Sequence, residues 1–212
     1  MRYLPLLLLL ALCFTGCRMT SSSSSTSTSS STTTAPAAAP TSAAALSIND
    51  GAGKRILALT QSKEAYTYVV NDAVGQIGTL SVGDGKVAIS DAKGARIGVV
   101  KKSGEDYAFD DASGKKIAKF SAKEGGYRLK DATDKMVLKL KPKDYGFKIS
   151  DGAGTAIAKL KQKGDEVVIS SEQGAKLYKV KGIKFTPAVG VLMSKQLTPL
   201  QQAAFITAAI EL

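Results

Sequence analysis

A period of twenty residues dominates this chain. Asp111-Ala112-Ser113-Gly114-Lys115-Lys116-Ile117-Ala118-Lys119-Phe120 is followed by Asp131-Ala132-Thr133-Asp134-Lys135-Met136-Val137-Leu138-Lys139-Leu140, and then by Asp151-Gly152-Ala153-Gly154-Thr155-Ala156-Ile157-Ala158-Lys159-Leu160. Asp91 with Gly94 and Ser171 with Gly174 hold the same places, and Asp72 with Gly75 and Asp50 with Gly53 extend the series with small slips. Six full units and the start of a seventh are legible. A fixed period means one supersecondary unit stacked on copies of itself, because a single unit cannot bury its own apolar face.

Each unit has a mechanical reading. Asp at the first turn position accepts hydrogen bonds from the backbone ahead of it, and Gly three residues on suits a type I turn. A strand carrying Ile, Val or Leu follows, then a charged loop such as Lys123-Glu124-Gly125-Gly126. An alternating strand then returns to the next Asp: Tyr145, Phe147 and Ile149 share one face, with Gly146 and Lys148 on the other. Alternation of aromatic and β-branched residues predicts half-buried antiparallel strands. The outgoing strand is less regular, since its apolar pair lies three apart (Ile157, Leu160); a bulge or a two-sided contact would account for that.

The last fifteen residues behave differently. Thr198 suits an N-cap, Pro199 a first helical position, and Gln201 completes a capping box, predicting a helix over 199–211. At about 100° per residue, Leu200, Phe205, Ile206, Ala209, Ile210 and Leu212 spread round the whole circumference. Such a helix must be surrounded, and it is shorter than the ~20 residues a bilayer span takes. A hairpin chain of this length exposes edges unless it closes, and a closed sheet of more than about eight strands is too wide for side chains alone to fill. The fold expected is therefore mainly β: an antiparallel barrel of about twelve strands, built of ~20-residue hairpin repeats around a buried C-terminal helix. An open hairpin solenoid is the competing arrangement. Between repeat and helix, Thr186-Pro187 is a second cap-like pair, followed by either a short helix from Ala188 to about Met193 or a further strand.

The unit Tyr-x-Ile/Leu-x-Asp-x-x-Gly-x-x-Ile, ending in an apolar helix, resembles the tubby-like superfamily, which takes in tubby C-terminal domains, phospholipid scramblases and LURP-one-related proteins. The resemblance covers about Asp50 to Leu212 and implies a twelve-stranded barrel around a central helix. The regular internal repeat departs from that family, and no phosphoinositide or calcium site of the family transfers onto this chain.

The N-terminus reads as an address. Met1-Arg2-Tyr3 is a short basic start, Leu4 to Leu12 an apolar stretch, and Leu12-Cys13-Phe14-Thr15-Gly16-Cys17 closes it. That ending resembles the lipobox of bacterial lipoproteins, with Phe14 in place of the usual Leu. The resemblance implies cleavage after residue 16, acylation of Cys17 and attachment to a membrane through several acyl chains, each buried methylene contributing about 0.8 kcal/mol. Arg18 in the position after Cys17 would permit outer-membrane sorting in a Gram-negative host. Residues 17–47 are then a lipidated cysteine and a Ser/Thr/Ala/Pro-rich tether, with too little apolar surface to offset ordering entropy. Residues 48–212 form the folded domain.

Composition closes several routes to chemistry. The chain has no His and no Trp, and its two cysteines are Cys13 and Cys17. Imidazole general bases, histidine zinc sites and thiol nucleophiles in the body are thereby excluded. The recurring Asp91, Asp111, Asp131 and Asp151 sit where turns want them and lack the clustered acids of calcium loops. No enzyme, cofactor or metal is expected. Net charge is +11, and it belongs to the body, because only Arg2 and Arg18 among the bases precede residue 49. Lys119, Lys139, Lys159 and Lys179 share one repeat position and would form a ladder on the outer wall. Functionally, that is a patch for anionic phospholipid, lipopolysaccharide or cell-wall polymer; the alternative is a solvated face that keeps strands from associating edge to edge. Tyrosines at the strand starts alternate as core residues do, so nucleic acid is not an expected partner. The function expected is a lipid-anchored envelope protein acting as a non-catalytic binding module, or else a surface spacer or a lipid-handling protein using the barrel interior.

Overall fold

The computed structural model describes residues 45–212 apart from Ala65. The acylation expected at Cys17, the signal segment and nearly all of the tether lie outside the described residues. The strands, in chain order, are β1 (Leu46–Asp50), β2 (Arg55–Gln61), β3 (Thr67–Asn71), β4 (Gln76–Gly83), β5 (Lys86–Asp91), β6 (Arg96–Ser103), β7 (Asp106–Asp111), β8 (Lys116–Lys123), β9 (Gly126–Asp131), β10 (Met136–Lys143), β11 (Gly146–Asp151), β12 (Ala156–Lys163), β13 (Glu166–Ser171) and β14 (Lys176–Lys181). A 3-10 segment, Pro187–Met193, and helix α1 (Pro199–Glu211) follow. β1 begins two residues before the domain start at 48.

Every strand pairs antiparallel with its sequence neighbours, and β1 pairs with β14 through Ile48↔Val180 and Asn49↔Lys179. The barrel is closed, and it has fourteen strands where about twelve were expected. The difference has a simple source. Seven Asp- or Ser-led turns each join two strands, so the segment before Asp50 and the segment Lys176–Lys181 both count. The latter has no following Asp turn to mark its end in the sequence.

Six of the seven turns are three-residue loops, and the one at Asp72 closes a residue earlier, on the Gly75 carbonyl. The Asp111 N–H donates to the Lys115 carbonyl at 2.9 Å, and the Gly114 N–H to the Asp111 carbonyl at 3.0 Å. The Asp111 carboxylate accepts from the N–H groups of Ser113 and Lys115. Gly114 has φ +85, the left-handed position that closes a type I turn into the following strand. Asp134 takes that position in one unit, at φ +61. At the opposite end of the barrel the hairpins from β4 to β13 turn in two residues, as at Asp84-Gly85, where both φ values are positive, while β2 and β3 are joined by a longer loop.

The irregular apolar spacing proves to be a bulge. Ile149 pairs with Ala158 and Ser150 with Ala156, leaving Ile157 unopposed. The same slip leaves out Ile56, Ile77, Ile97, Ile117, Val137 and Leu177. Each of these residues packs, half-buried, against the core. A bulge increases local twist and bends its strand, and one per hairpin supplies the curvature that closure requires.

The lumen is filled from the C-terminal end of the chain. Helix α1 lies against β4–β7, and the 3-10 segment against β10 and β12. The capping box is formed: the Thr198 N–H donates to Gln201 Oε1 at 2.9 Å, and the Gln201 N–H to Thr198 Oγ1. Phe205 and Ile206 are fully buried. The helix does not fill the barrel alone, since Val189, Val191 and Leu192 are buried beside it. Thr186 caps the 3-10 segment by accepting from the Ala188 N–H at 3.3 Å. The wall makes room for α1 through glycine. Gly78 stands where Leu57 and Leu138 stand in other units, and a Cβ there would lie 2.6 Å from a Leu200 methyl. The last turn of α1 emerges from the core, with Ile210 40% exposed.

Candidate functional site: a basic outer wall

Alternation fixes which side chains face out. On β8 Ala118 and Phe120 are buried, and Lys119 between them is not; the same holds for Leu138 and Leu140 around Lys139, and for Ala158 and Leu160 around Lys159. Each hairpin repeats the register of the one before: Lys119↔Lys130, Lys139↔Ser150, Lys159↔Ser170. Equivalent residues therefore stand at one height around the closed barrel. Lys119, Lys139, Lys159 and Lys179 form an arc on β8, β10, β12 and β14, on alternate strands as expected.

Three of the four face a further base, while Lys179 stands between Asn49 and Val168. Lys119 is directly opposite Lys130, Lys139 opposite Arg128, and Lys159 opposite Lys148, which is itself opposite Lys141. The outward positions of β8–β12 hold Lys119, Lys123, Arg128, Lys130, Lys139, Lys141, Lys143, Lys148, Lys159, Lys161 and Lys163, and no acid. Those of β1–β7 hold mainly small neutral residues, such as Ser47, Ala58, Thr79, Ser81, Ala88 and Ala108, with Arg55 and Arg96 at strand starts, Lys86 paired with Asp84 and Lys101 with Asp110. One half of the wall is densely cationic and the other sparsely charged. The repeat position of the four lysines was legible in the sequence. Arg128, Lys130, Lys141, Lys148 and Lys161 were not counted with them, although they too sit on the solvent side of the alternation.

Two of the four arc lysines are ion-paired, Lys119 with Asp106 at 2.7 Å and Lys159 with Glu172 at 3.2 Å. Lys159 also donates to the Glu172 carbonyl. Among the described residues, Lys139 and Lys179 have no carboxylate within 4.0 Å. The short outward residues between the long ones are covered: Ser121 and Ser150 are buried although they face out, with Arg128 opposite Ser121 and Lys139 opposite both Arg128 and Ser150. The lysine and arginine stems lie along the sheet and leave their charged ends in water.

The recurring acids do turn chemistry. Hydrogen bonds from the Ser113 hydroxyl and then the backbone N–H groups of Lys115 and Ser113 hold the Asp111 carboxyl below its ordinary range, and Thr133 does the same for Asp131. Among the described residues, no group of three His, Cys, Asp or Glu side chains is placed to hold a metal ion, and no helix is long and apolar enough to cross a membrane. A cavity of about 260 Å³ opens at the two-residue-turn end of the barrel, between Tyr107, Phe120 and Tyr127 on the wall and Ala188 and Ala209 on the filling. Its aromatic lining is already engaged, with Phe120 and Tyr127 stacked at 5.5 Å and Lys102 over the Tyr107 ring.

No family model and no curated protein matches the chain. Among solved structures, a protein from Arabidopsis thaliana is 15% identical over 49% of this chain and 76% of its own, with a TM-score of 0.34. Alternansucrase in complex with isomaltotriose and with isomaltononaose is 19% identical over 51% and 56% of this chain, in each case 10% of that chain, with a TM-score of 0.18. At these TM-scores none of them bears on fold or function.

Proposed function

We propose that this chain is a lipid-anchored envelope protein whose barrel is a non-catalytic interaction module, meeting anionic lipid or envelope polymer through the wall of β8–β12. The observation that carries the reading is the set of directly opposed like charges, Lys119 with Lys130, Lys139 with Arg128 and Lys148 with Lys159. Opposed like charges destabilise a sheet, and a sparsely charged wall is available to the same fold, as β1–β7 illustrate. The rival account, lysines that guard strand edges, loses its ground in a barrel where β1 pairs with β14. An anionic partner offsets the repulsion, each near-surface charge contributing about 1 kcal/mol at low salt.

The anchor rests on the N-terminal segment ending in Gly16-Cys17, and outer-membrane placement on Arg18 in a Gram-negative host. Kinship with the tubby-like superfamily rests on the repeat pattern and terminal helix, and the fourteen strands here depart from that family's twelve. Use of the interior for an acyl chain is disfavoured by a lumen whose central residues, Phe205, Ile206, Val189 and Leu140, are fully buried.

The test is co-sedimentation of the full chain, in neutral detergent below its micelle-forming concentration, with phosphatidylcholine vesicles containing phosphatidylglycerol. Replacing Lys119, Lys139, Lys159 and Lys179 with Gln is expected to weaken binding at low salt, and added salt to weaken it in the parent. Binding that neither the substitutions nor salt alters would refute the proposal, and the absence of any salt-dependent partner would favour a spacer.

A further inference from the structure

Between β12 and β14 two short residues interrupt the run of bases. Val168 stands at the height that Arg128 and Lys148 hold in preceding hairpins, and Ser170 at the height of Lys130. The result is a dent of about 400 Å³, floored by Val168 and Ser170 and walled by Lys161, Lys163 and Lys176. Two acids on β13 and the turn after it are ion-paired with other lysines: Glu166, opposite Lys163, with Lys181 at 2.7 Å, and Glu172 with Lys159 at 3.2 Å. Among the described residues, Lys161, Lys163 and Lys176 thus have no carboxylate within 4.0 Å. The Lys161 ammonium lies 4.8 Å over the Tyr145 ring, a weak exposed contact that an anion would replace or share.

We infer that this dent binds a phosphate monoester, an inference that rests on reading the wall as an anionic-partner surface and names the group it selects. The lining has three ammonium groups, the Ser170 hydroxyl, the Gln162 amide and no guanidinium. Lysine is a compact point charge with three donors and reads charge density, whereas the planar fork of arginine suits bidentate carboxylate geometry. A phosphate monoester carries about −1.5 to −2 with three acceptor oxygens, while a phosphodiester or a carboxylate carries a single charge. Three cations without an ion pair around one dent favour the more highly charged group.

The experiment uses the full chain and phosphatidylcholine vesicles carrying either phosphatidic acid, a monoester, or phosphatidylglycerol, a diester, at equal measured surface charge. Phosphatidic acid is expected to bind about fivefold more tightly, the factor one additional near-surface charge carries. Lys161→Gln with Lys176→Gln is expected to abolish that preference, lowering phosphatidic acid binding by more than phosphatidylglycerol binding, whereas Lys139→Gln should lower both alike. Protection of Lys161 and Lys176 from amine acylation identifies the source of the group: protection by inorganic phosphate alone supports a site for the free group, and protection only by phosphatidic acid vesicles supports a headgroup site. Equal affinity for the two lipids, or a preference that survives the double substitution, would overturn the inference. Salt-dependent phosphatidylglycerol binding in that event would leave the broader reading of the wall standing, and no vesicle binding at all would remove both.

Discussion

Phe205 offers the sharpest test of how the barrel is held open. Its ring is fully buried in the lumen, in the same core as Ile206, Ala203 and Ala204, which are equally buried. Phe205→Ala removes the ring from a space that cannot readily collapse, because the circumference is set by a continuous ladder of fourteen paired strands. The transfer and cavity contributions together come to about 3–5 kcal/mol. For a domain of this size each kcal/mol lowers Tm by about 2–4 °C, so the expected fall is about 6–20 °C. Ile210→Ala on the same helix is the control. Ile210 is 40% exposed, and its truncation should cost under about 1 kcal/mol. Both changes raise intrinsic helix propensity, so propensity cannot produce the difference between them. Thermal unfolding followed by circular dichroism reads both. A Phe205→Ala midpoint within about 3 °C of the parent, or equal to that of Ile210→Ala, would refute the view that α1 is the core of the barrel.

Other consequences follow from particular residues. Gly126 has φ +135, and a Cβ there would lie 1.9 Å from the Leu140 carbonyl oxygen, so Gly126→Ala should destabilise by more than about 2 kcal/mol in chemical denaturation, whereas Gly83→Ala, with open space around it, should cost little. Tyr68 donates to the Glu211 carboxylate at 2.8 Å, and burial, then that bond, push its phenol up to about 12 from 10.0. The folded value lies above the unfolded one, so the contribution is intact below about pH 10 and lost as pH rises towards 12; Tyr68→Phe should flatten stability across that window, and an unchanged slope would contradict the assignment. Relief of like charge is measurable too: Lys139→Gln, opposite Arg128, should raise stability by about 0.2–1 kcal/mol at low salt and by nothing at high salt.

Much of the fold was legible because its determinants are local. An Asp carboxylate that accepts from N–H groups two and four residues ahead, and a glycine that takes a left-handed φ, act within five residues, and they recur at every turn with few exceptions. The bulge at Ile157 and the capping box from Thr198 to Gln201 are likewise short-range and were readable as spacing. The candidate site was half legible: the arc from Lys119 to Lys179 shows in the repeat, but its opposing bases on β9 and β11 become neighbours only through register. Closure was readable only from the cost of exposed edges, which left an open solenoid as the alternative. It depends on Ile48 meeting Val180, residues at opposite ends of the repeat, and on twist summed over fourteen strands. The sequence by itself determined hairpins, turns and a helix that had to be enclosed, since those follow from hydrogen bonds and φ preferences between near neighbours. Tertiary structure decided the strand number, the sharing of the lumen between α1 and Pro187–Met193, and the separation of a basic half-wall from a sparsely charged one, because each is a relation between segments that only closing the sheet brings together.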